Sequence, residues 1–287
     1  MPNLEKGHVR VFEVGPRDGL QNERKLISAS DKIKLVDMLS GCGFDRIEVT
    51  AFVSPKWVPQ LADNAEVMAG INRKAGISYA VLTPNQKGYE AAKAAQADEV
   101  AIFASASEGF SKANVNCTIA ESLERFAPIV EAAKADGMPV RGYVSCVTDC
   151  PFDGPTSPET VARSVGFLRD AGCYEVSLGE TIGHGTPETI SKMLDAVLQE
   201  LPAEKLAGHY HDTKGRALEN IEASLEKGLR VFDSSVAGLG GCPYAPGAAG
   251  NVDTAKVVSL AERLGYETGI DLSTLELAAQ FARSLRS

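Results

Sequence analysis

Runs rich in β-branched residues alternate eight times with amphipathic stretches, and this alternation limits the fold more than any other feature of the chain. Strand-like segments are read at 8–14 (HVRVFEV), 45–50 (DRIEVT), 77–82 (ISYAVL), 98–103 (DEVAIF), 139–146 (PVRGYVSC), 173–178 (CYEVSL), 205–211 (KLAGHYH) and 230–236 (RVFDSSV). The stretches 30–41, 86–96, 119–136, 157–171, 186–200 and 215–227, and a shorter one at 62–71, lie between them. Their apolar residues recur three and four apart, as in Ile33, Val36 and Leu39 or Val161, Val165 and Leu168, which is the spacing of one helix face. Gly41, Gly43, Gly172 and Pro187 punctuate the joints. Strand-then-helix repetition without a linker predicts a (β/α)₈ TIM barrel, one catalytic domain spanning 1–287. The barrel takes about 8–265, ending in a helix at 252–265, and an extra C-terminal helix follows at 271–284. A doubly wound open sheet is the alternative, disfavoured by eight equal units and by the lack of a glycine-rich dinucleotide turn.

Composition narrows the class. With 44% hydrophobic and 23% charged residues the chain is an ordinary globular one, not a disordered one. Lys and Arg number 29 against 38 Asp and Glu, a net charge of −9. That balance argues against nonspecific nucleic-acid or membrane-surface binding and leaves room for a local basic pocket. No apolar run approaches the ~18 residues of a membrane helix, and MPNLEKGHVR carries no targeting pattern, so a cytoplasmic location is expected. Cys42, Cys117, Cys146, Cys150, Cys173 and Cys242 are expected as buried thiols, because no second close pair joins Cys146 and Cys150 in a zinc site.

In a barrel of this kind, chemistry sits on the loops after the strands. His209 and His211 stand in GHYHD at the end of the seventh strand. Residues i and i+2 of a strand share a face, so both imidazoles aim into the mouth together. Two neutral imidazoles suit a divalent metal; a pair of hydrogen-bonded core histidines is the plainer reading. GPRDGLQ after the first strand sets Arg17 beside Asp18. Asp18 offers a hard oxygen ligand and Arg17 a cationic fork for a carboxylate, thioester oxygen or enolate, with a surface salt bridge in a turn as the alternative. Glu48 ends the second strand at the same level, as a third acid or as an ion-pair partner of Arg17.

After the eighth strand, SSVAGLGGCPYAPG surrounds Cys242 with glycines. It reads as a mobile loop closing over the mouth, or as a phosphate-binding glycine loop with an incidental thiol. An exposed thiol there would also be open to oxidation. Asn251 follows as a helix cap or as a neutral oxygen ligand. A mixed N/O donor set without thiolate favours Mg²⁺ or Mn²⁺, acting as a Lewis acid. With an arginine, a glutamate and a gated cysteine beside it, the set points to making or breaking a C–C bond through an enolate.

The segments EVGPRDGLQNE (13–23), FVSPKWVPQLAD (52–63), VLTPNQKGYEAA (81–92), RGYVSC (141–146), HYHDT (209–213) and SSVAGLGGCPYAPGAAGN (234–251) resemble the 3-hydroxy-3-methylglutaryl-CoA lyases over nearly the whole chain. The resemblance implies cleavage of (S)-3-hydroxy-3-methylglutaryl-CoA to acetyl-CoA and acetoacetate, as in leucine breakdown, by a homodimer acting on an acyl-CoA. It implies Asp18, His209, His211 and Asn251 as ligands of Mg²⁺ or Mn²⁺. Arg17 would stabilise the enolate, His209 would also transfer a proton, Glu48 would support the site, and Cys242 would lie on the catalytic loop. Gln21, Tyr143, Ser177 and Thr181 are expected to bind substrate, while Arg24, Lys25 and Lys56 are candidates for the coenzyme A phosphates, with solvated surface charge as the plainer reading of each. His184 is a weaker substrate-contact candidate. Two positions depart from the family pattern: Glu180 stands where Asp is usual, and Ala255 where many members have Glu. A longer branched 3-hydroxy-3-alkylglutaryl-CoA is the alternative substrate, a Claisen-type synthase the alternative reaction, and a non-catalytic metal- and acyl-CoA-binding barrel the alternative from another class.

Overall fold

Eight parallel strands hydrogen-bond in a closed ring, so the open-sheet alternative is excluded. The computed structural model describes residues 7–242 and 245–286, with only the backbone at 241, 242 and 245–249. The strands are β1 (Arg10–Glu13), β2 (Arg46–Ala51), β3 (Ser78–Leu82), β4 (Glu99–Ser105), β5 (Val140–Ser145), β6 (Glu175–Glu180), β7 (Leu206–Tyr210) and β8 (Val231–Ser234). They follow one another in chain order around the ring, and β1 closes it by pairing Arg10 with Val231 through to Glu13 with Ser234. Closure leaves no free edge, and it brings residues from opposite ends of the chain onto one interior surface.

Around the ring run α1 (Ala29–Leu39), α2 (Asn64–Gly70), α3 (Gln86–Ala94), α4 (Glu108–Val115), α5 (Ile119–Asp136), α6 (Pro158–Ala171), α7 (Pro187–Val197), α8 (Ala217–Glu226), α9 (Thr254–Arg263) and α10 (Leu272–Leu285). Their starts are written in the sequence. Ser28, Asn85, Ser107, Thr118, Ser157, Thr186, Asp253 and Asp271 each accept a hydrogen bond from a backbone N–H of the first turn, satisfying donors a helix start leaves unpaired. The cap of α9 is therefore Asp253 and not Asn251, which lies two residues too early. The extra helix expected at 271–284 is α10, packed on α1 and on the Val236–Gly238 turn.

Five local features differ from the sequence reading. The first strand is shorter, since His8 forms only an isolated bridge to Glu267. Helix α4 and a small hairpin pairing Asp149–Cys150 with Gly154–Pro155 occupy what reads as loop. Gly241–Cys242 pairs antiparallel with Ala245–Ala249. GPRDG forms one wide turn, with Gly19 N–H donating to Val14 O and Leu20 N–H to Gly15 O. Apolar periodicity reports burial, and these short segments bury too little to declare themselves.

The main core lies between strands and helices, with Leu35, Ile47, Val100, Leu168, Val176 and Phe232 fully buried in it. The barrel interior is different, because charged residues cross it. Arg46 and Arg141 both bond Glu175, and Arg141 grips Asp233 with two nitrogens at 2.7 and 3.0 Å. Each charge has an opposite partner, as buried charges require.

Candidate active site at the barrel mouth

The ends of β1 and β7, with β8 between them in the ring, build the site. β1 delivers Arg17 and Asp18 through the wide turn after Val14. Gly19 has to be glycine there, since a Cβ would lie 2.7 Å from Ser235 Oγ and 2.8 Å from Leu239 Cβ. Beneath the turn, the buried Glu13 carboxylate accepts hydrogen bonds from Gly15 N–H and Val236 N–H at 2.8 Å and from Thr254 Oγ at 2.7 Å. It joins the Arg17–Asp18 turn to the chain leaving β8 and to the start of α9. Burial raises this carboxyl to about 7 despite those three donors.

Asp18, His209 and His211 converge: one ligand atom from each lies within 4.8 Å of the others. His209 Nε2 is 3.9 Å from Asp18 Oδ2, and the two rings stand 5.6 Å apart, centre to centre. The i, i+2 spacing on β7 produces this, as strand geometry dictates. Burial disfavours an ionised Asp18, but Arg17 and both imidazoles outweigh it and hold the carboxyl low, at about 2. Burial and the neighbouring His209 push His211 down to about 4, so it is neutral near pH 7. Burial also opposes a proton on His209, yet its hydrogen bond to Asp233 and the charges of Asp18 and Asp233 raise it above an ordinary histidine. Buried His211 Nδ1 has no hydrogen-bond partner. An orphaned imidazole nitrogen beside an ionised carboxylate and a second imidazole fits a divalent cation, with chemistry suited to Mg²⁺ or Mn²⁺.

Around the cluster, Arg17 donates to Glu48 Oε2 and to Asp18 Oδ1, both at 2.6 Å. Gln21 donates to the same Asp18 oxygen at 2.8 Å. Asn251 presents its amide nitrogen to Asp18 Oδ2 at 2.7 Å, so here it supports the carboxylate as a donor. Tyr143 lies between the guanidiniums of Arg17 and Arg141, 5.6 and 5.0 Å from its ring centre, and edge-on to His209. Its buried hydroxyl has no partner, and neither has Glu48 Oε1.

The other expected residues make contacts of their own. Ser177 is fully buried and donates to Asp233 at 2.7 Å. Thr181 accepts from Cys146 N–H at 2.9 Å. Glu180 is buried at the end of β6, where Oε1 accepts from Thr148 Oγ at 3.2 Å and His184 N–H at 3.0 Å; burial raises its pKa. Arg24 and Lys56 are exposed on the first two strand-end loops. The side chain of Cys242 lies outside the described residues, and Cys42, Cys117, Cys146, Cys150 and Cys173 are free, buried thiols.

Sequence reasoning missed Asp233, Arg141, Glu13 and Gln60. Gln60 is buried and bonds Glu23 O, Lys25 O and Ile27 N–H, tying the first strand-end loop to the second. The available signal was charge inside strands: Arg141 in VRGYVS and Asp233 in VFDS interrupt otherwise apolar runs.

A closed parallel barrel whose C-terminal mouth holds an acid and two imidazoles beside a clamped arginine defines a barrel with a candidate metal centre. The HMGL-like family model matches residues 8–281, and the chain belongs to that family. It is 57% identical over 278 residues to the 3-hydroxy-3-isohexenylglutaryl-CoA/hydroxy-methylglutaryl-CoA lyase of Pseudomonas aeruginosa, covering 97% of this chain and 92% of that one. The HMG-CoA lyase structure from Brucella melitensis superposes with a TM-score of 0.97 at 63% identity, over 98% of this chain and 99% of that one. An HMG-CoA lyase structure from Acinetobacter baumannii, in complex with coenzyme A and 3-methylmalate, gives 0.93 at 38% identity, over 100% and 93%. No helix among the described residues is long and apolar enough to cross a membrane.

Proposed function

We propose that this chain is a carbon–carbon lyase that cleaves (S)-3-hydroxy-3-methylglutaryl-CoA to acetyl-CoA and acetoacetate. The observation that carries the reading is the Asp18–His209–His211 cluster against Arg17 at the barrel mouth, in a chain so similar to lyases of that name. Asp18, His209 and His211 would hold Mg²⁺ or Mn²⁺, with Asn251 joining as a fourth ligand once its amide turns its oxygen inward. The cation supplies Lewis-acid polarisation of the substrate's oxygens.

This chain's own residues do the rest. The proton of the C3 hydroxyl passes to a base at the mouth, the role the resemblance gives to His209, which can accept it only at an Nε2 not engaged by the cation. The hydroxyl oxygen becomes the ketone of acetoacetate as the C2–C3 bond breaks, and the bonding pair passes to C2 as the enolate of acetyl-CoA. Arg17, held by Glu48 and Asp18, keeps a positive charge fixed where the enolate oxygen develops, and a proton delivered to C2 completes acetyl-CoA. Preorganised charge of this kind contributes ~10²–10³ in rate per contact. Gln21, Tyr143 and Thr181 are assigned to the acyl group, Arg24 and Lys56 to coenzyme A, and Cys242 to the loop over the mouth. The enzyme acts as a single-domain homodimer in the cytoplasm, within leucine breakdown.

Acetoacetate release from 3-hydroxy-3-methylglutaryl-CoA, measured with Mg²⁺ or Mn²⁺ and then with EDTA, tests the reading. Metal-dependent release is expected. A longer branched 3-hydroxy-3-alkylglutaryl-CoA is the second reading, favoured by the isohexenyl substrate in the name of the Pseudomonas relative. Release from the longer substrate alone would replace the first reading with it. Metal binding with no turnover of either would leave a binding protein.

A further inference from the structure

His209 faces two ways: Nε2 looks toward Asp18 at 3.9 Å, and Nδ1 lies 3.1 Å from Asp233 Oδ2. Asp233 is on β8, fully buried, and all its other partners are donors. Arg141 Nη2 reaches Oδ1 at 2.7 Å, Arg141 Nη1 reaches Oδ2 at 3.0 Å, and Ser177 Oγ reaches Oδ2 at 2.7 Å. Arg141 is itself fixed from behind, its Nε on Glu175 at 2.7 Å, and Glu175 is held in turn by Arg46. The chain of charges therefore runs Arg46–Glu175–Arg141–Asp233 through the barrel interior and stops at the imidazole.

A carboxylate gripped on both oxygens by a guanidinium is ionised and has no proton to give. The hydrogen bond between Asp233 and Nδ1 must then be donated by the ring. We infer that Asp233 is a positioning residue, locking His209 as the Nδ1–H tautomer with its Nε2 lone pair aimed toward Asp18, and that Arg141 and Ser177 hold Asp233 to that task. Nε2 is the nitrogen the proposed cation needs; a ring in the other tautomer would present an N–H there, which cannot ligate. The inference rests on the metal-site reading for the use of Nε2, though not for the tautomer itself.

Asp233→Asn is the discriminating variant. Arg141 attracts the amide oxygen, which leaves the amide NH₂ against Nδ1 and forces the proton to Nε2. Loss of the correct tautomer with geometry intact is a known route to large losses of activity, and outer partners of metal-binding histidines typically contribute 10–100-fold in affinity. The test is nitrogen-15 NMR of histidine-labelled, Mg²⁺-saturated protein, with His209 assigned by signal loss in His209→Gln. It is paired with calorimetric titration of Mg²⁺ into metal-free wild type and Asp233→Asn. The expected result is a protonated, pyrrole-type Nδ1 and a pyridine-type Nε2 in the wild type, with Mg²⁺ affinity ~10–100-fold weaker in Asp233→Asn. A pyridine-type Nδ1 in the wild type overturns the inference, and so does an Asn variant that binds Mg²⁺ as tightly as wild type. The wild-type spectrum decides even where the variant fails to fold. Neither readout uses an acyl-CoA, so failure of the lyase reading leaves both intact.

Discussion

Arg17 Nε lies 2.6 Å from Glu48 Oε2, joining the turn after β1 to β2 by an ion pair with both side chains buried. Burial alone would lower the arginine's pKa, but Glu48 and Asp18 outweigh it and keep the guanidinium charged. The same burial raises Glu48, which Arg17 opposes. The pair fixes where a positive charge stands at the mouth. Glu48→Gln keeps the shape and removes the clamping charge. We expect kcat to fall by ~10²-fold, as for loss of one preorganised contact, with KM changing less. Steady-state kinetics check this, and a kcat within threefold of wild type would remove Glu48 from the machinery.

Metal affinity should fall as pH drops. His211, depressed to about 4, is already neutral near pH 7 and has no proton to shed. His209, raised by Asp233 and Asp18 against the effect of burial, has to lose a proton before Nε2 can ligate. Calorimetry at pH 8 and pH 6 should therefore show weaker Mg²⁺ binding at the lower pH, with proton release on binding. His211→Ala should lower affinity at both pH values by at least the ~10²-fold typical of the strongest outer-shell losses. Unchanged metal content in that variant would make the histidines a core pair.

Glu13 predicts a pH-dependent stability. Its carboxyl is raised to about 7 in the folded chain from 4.5, so the folded state holds a proton that the unfolded state has released. That contribution is complete below pH 4.5 and is lost as pH rises through about 7. Its size is about 3 kcal/mol at most, at 1.36 kcal/mol per unit. Glu13→Gln carries no charge, and its amide oxygen can accept from Gly15 and Val236 N–H while its NH₂ donates to Thr254 Oγ with that bond reversed. Denaturant unfolding should show the variant equal to wild type near pH 5 and more stable near pH 8. Parallel pH profiles would contradict this.

Glu180 reaches Thr148 and the His184 N–H through the methylene it has beyond aspartate. Glu180→Asp withdraws the carboxylate from both donors. We expect a loss of about 1–2 kcal/mol, the scale of a buried hydrogen bond broken with its partner left behind. Thermal unfolding measures it as a fall in Tm of roughly 2–8 °C. An unchanged Tm would mean that the turn after β6 does not depend on Glu180.

Local chemistry was readable in the sequence wherever it depends on spacing along one strand or turn. Strand periodicity puts His209 and His211 on one face, side-chain oxygens mark the helix starts, and the strand-end position of Arg17 and Asp18 follows from the eightfold repeat. Tertiary structure decided the partners that closure brings together. Arg141 and Asp233 are 92 residues apart yet share two hydrogen bonds, and Glu13 meets Thr254 across 241 residues. The charge inside VFDS marks Asp233 as unusual, but its partner, His209, is not written in that segment. Ser177 is similar: a strand-end hydroxyl reads as a substrate contact until the barrel turns it toward Asp233. The physical reason is common to all of them. Periodicity along a strand is a property of one segment, whereas the partner of a buried charge is set by which strands the closed ring makes face one another across its interior.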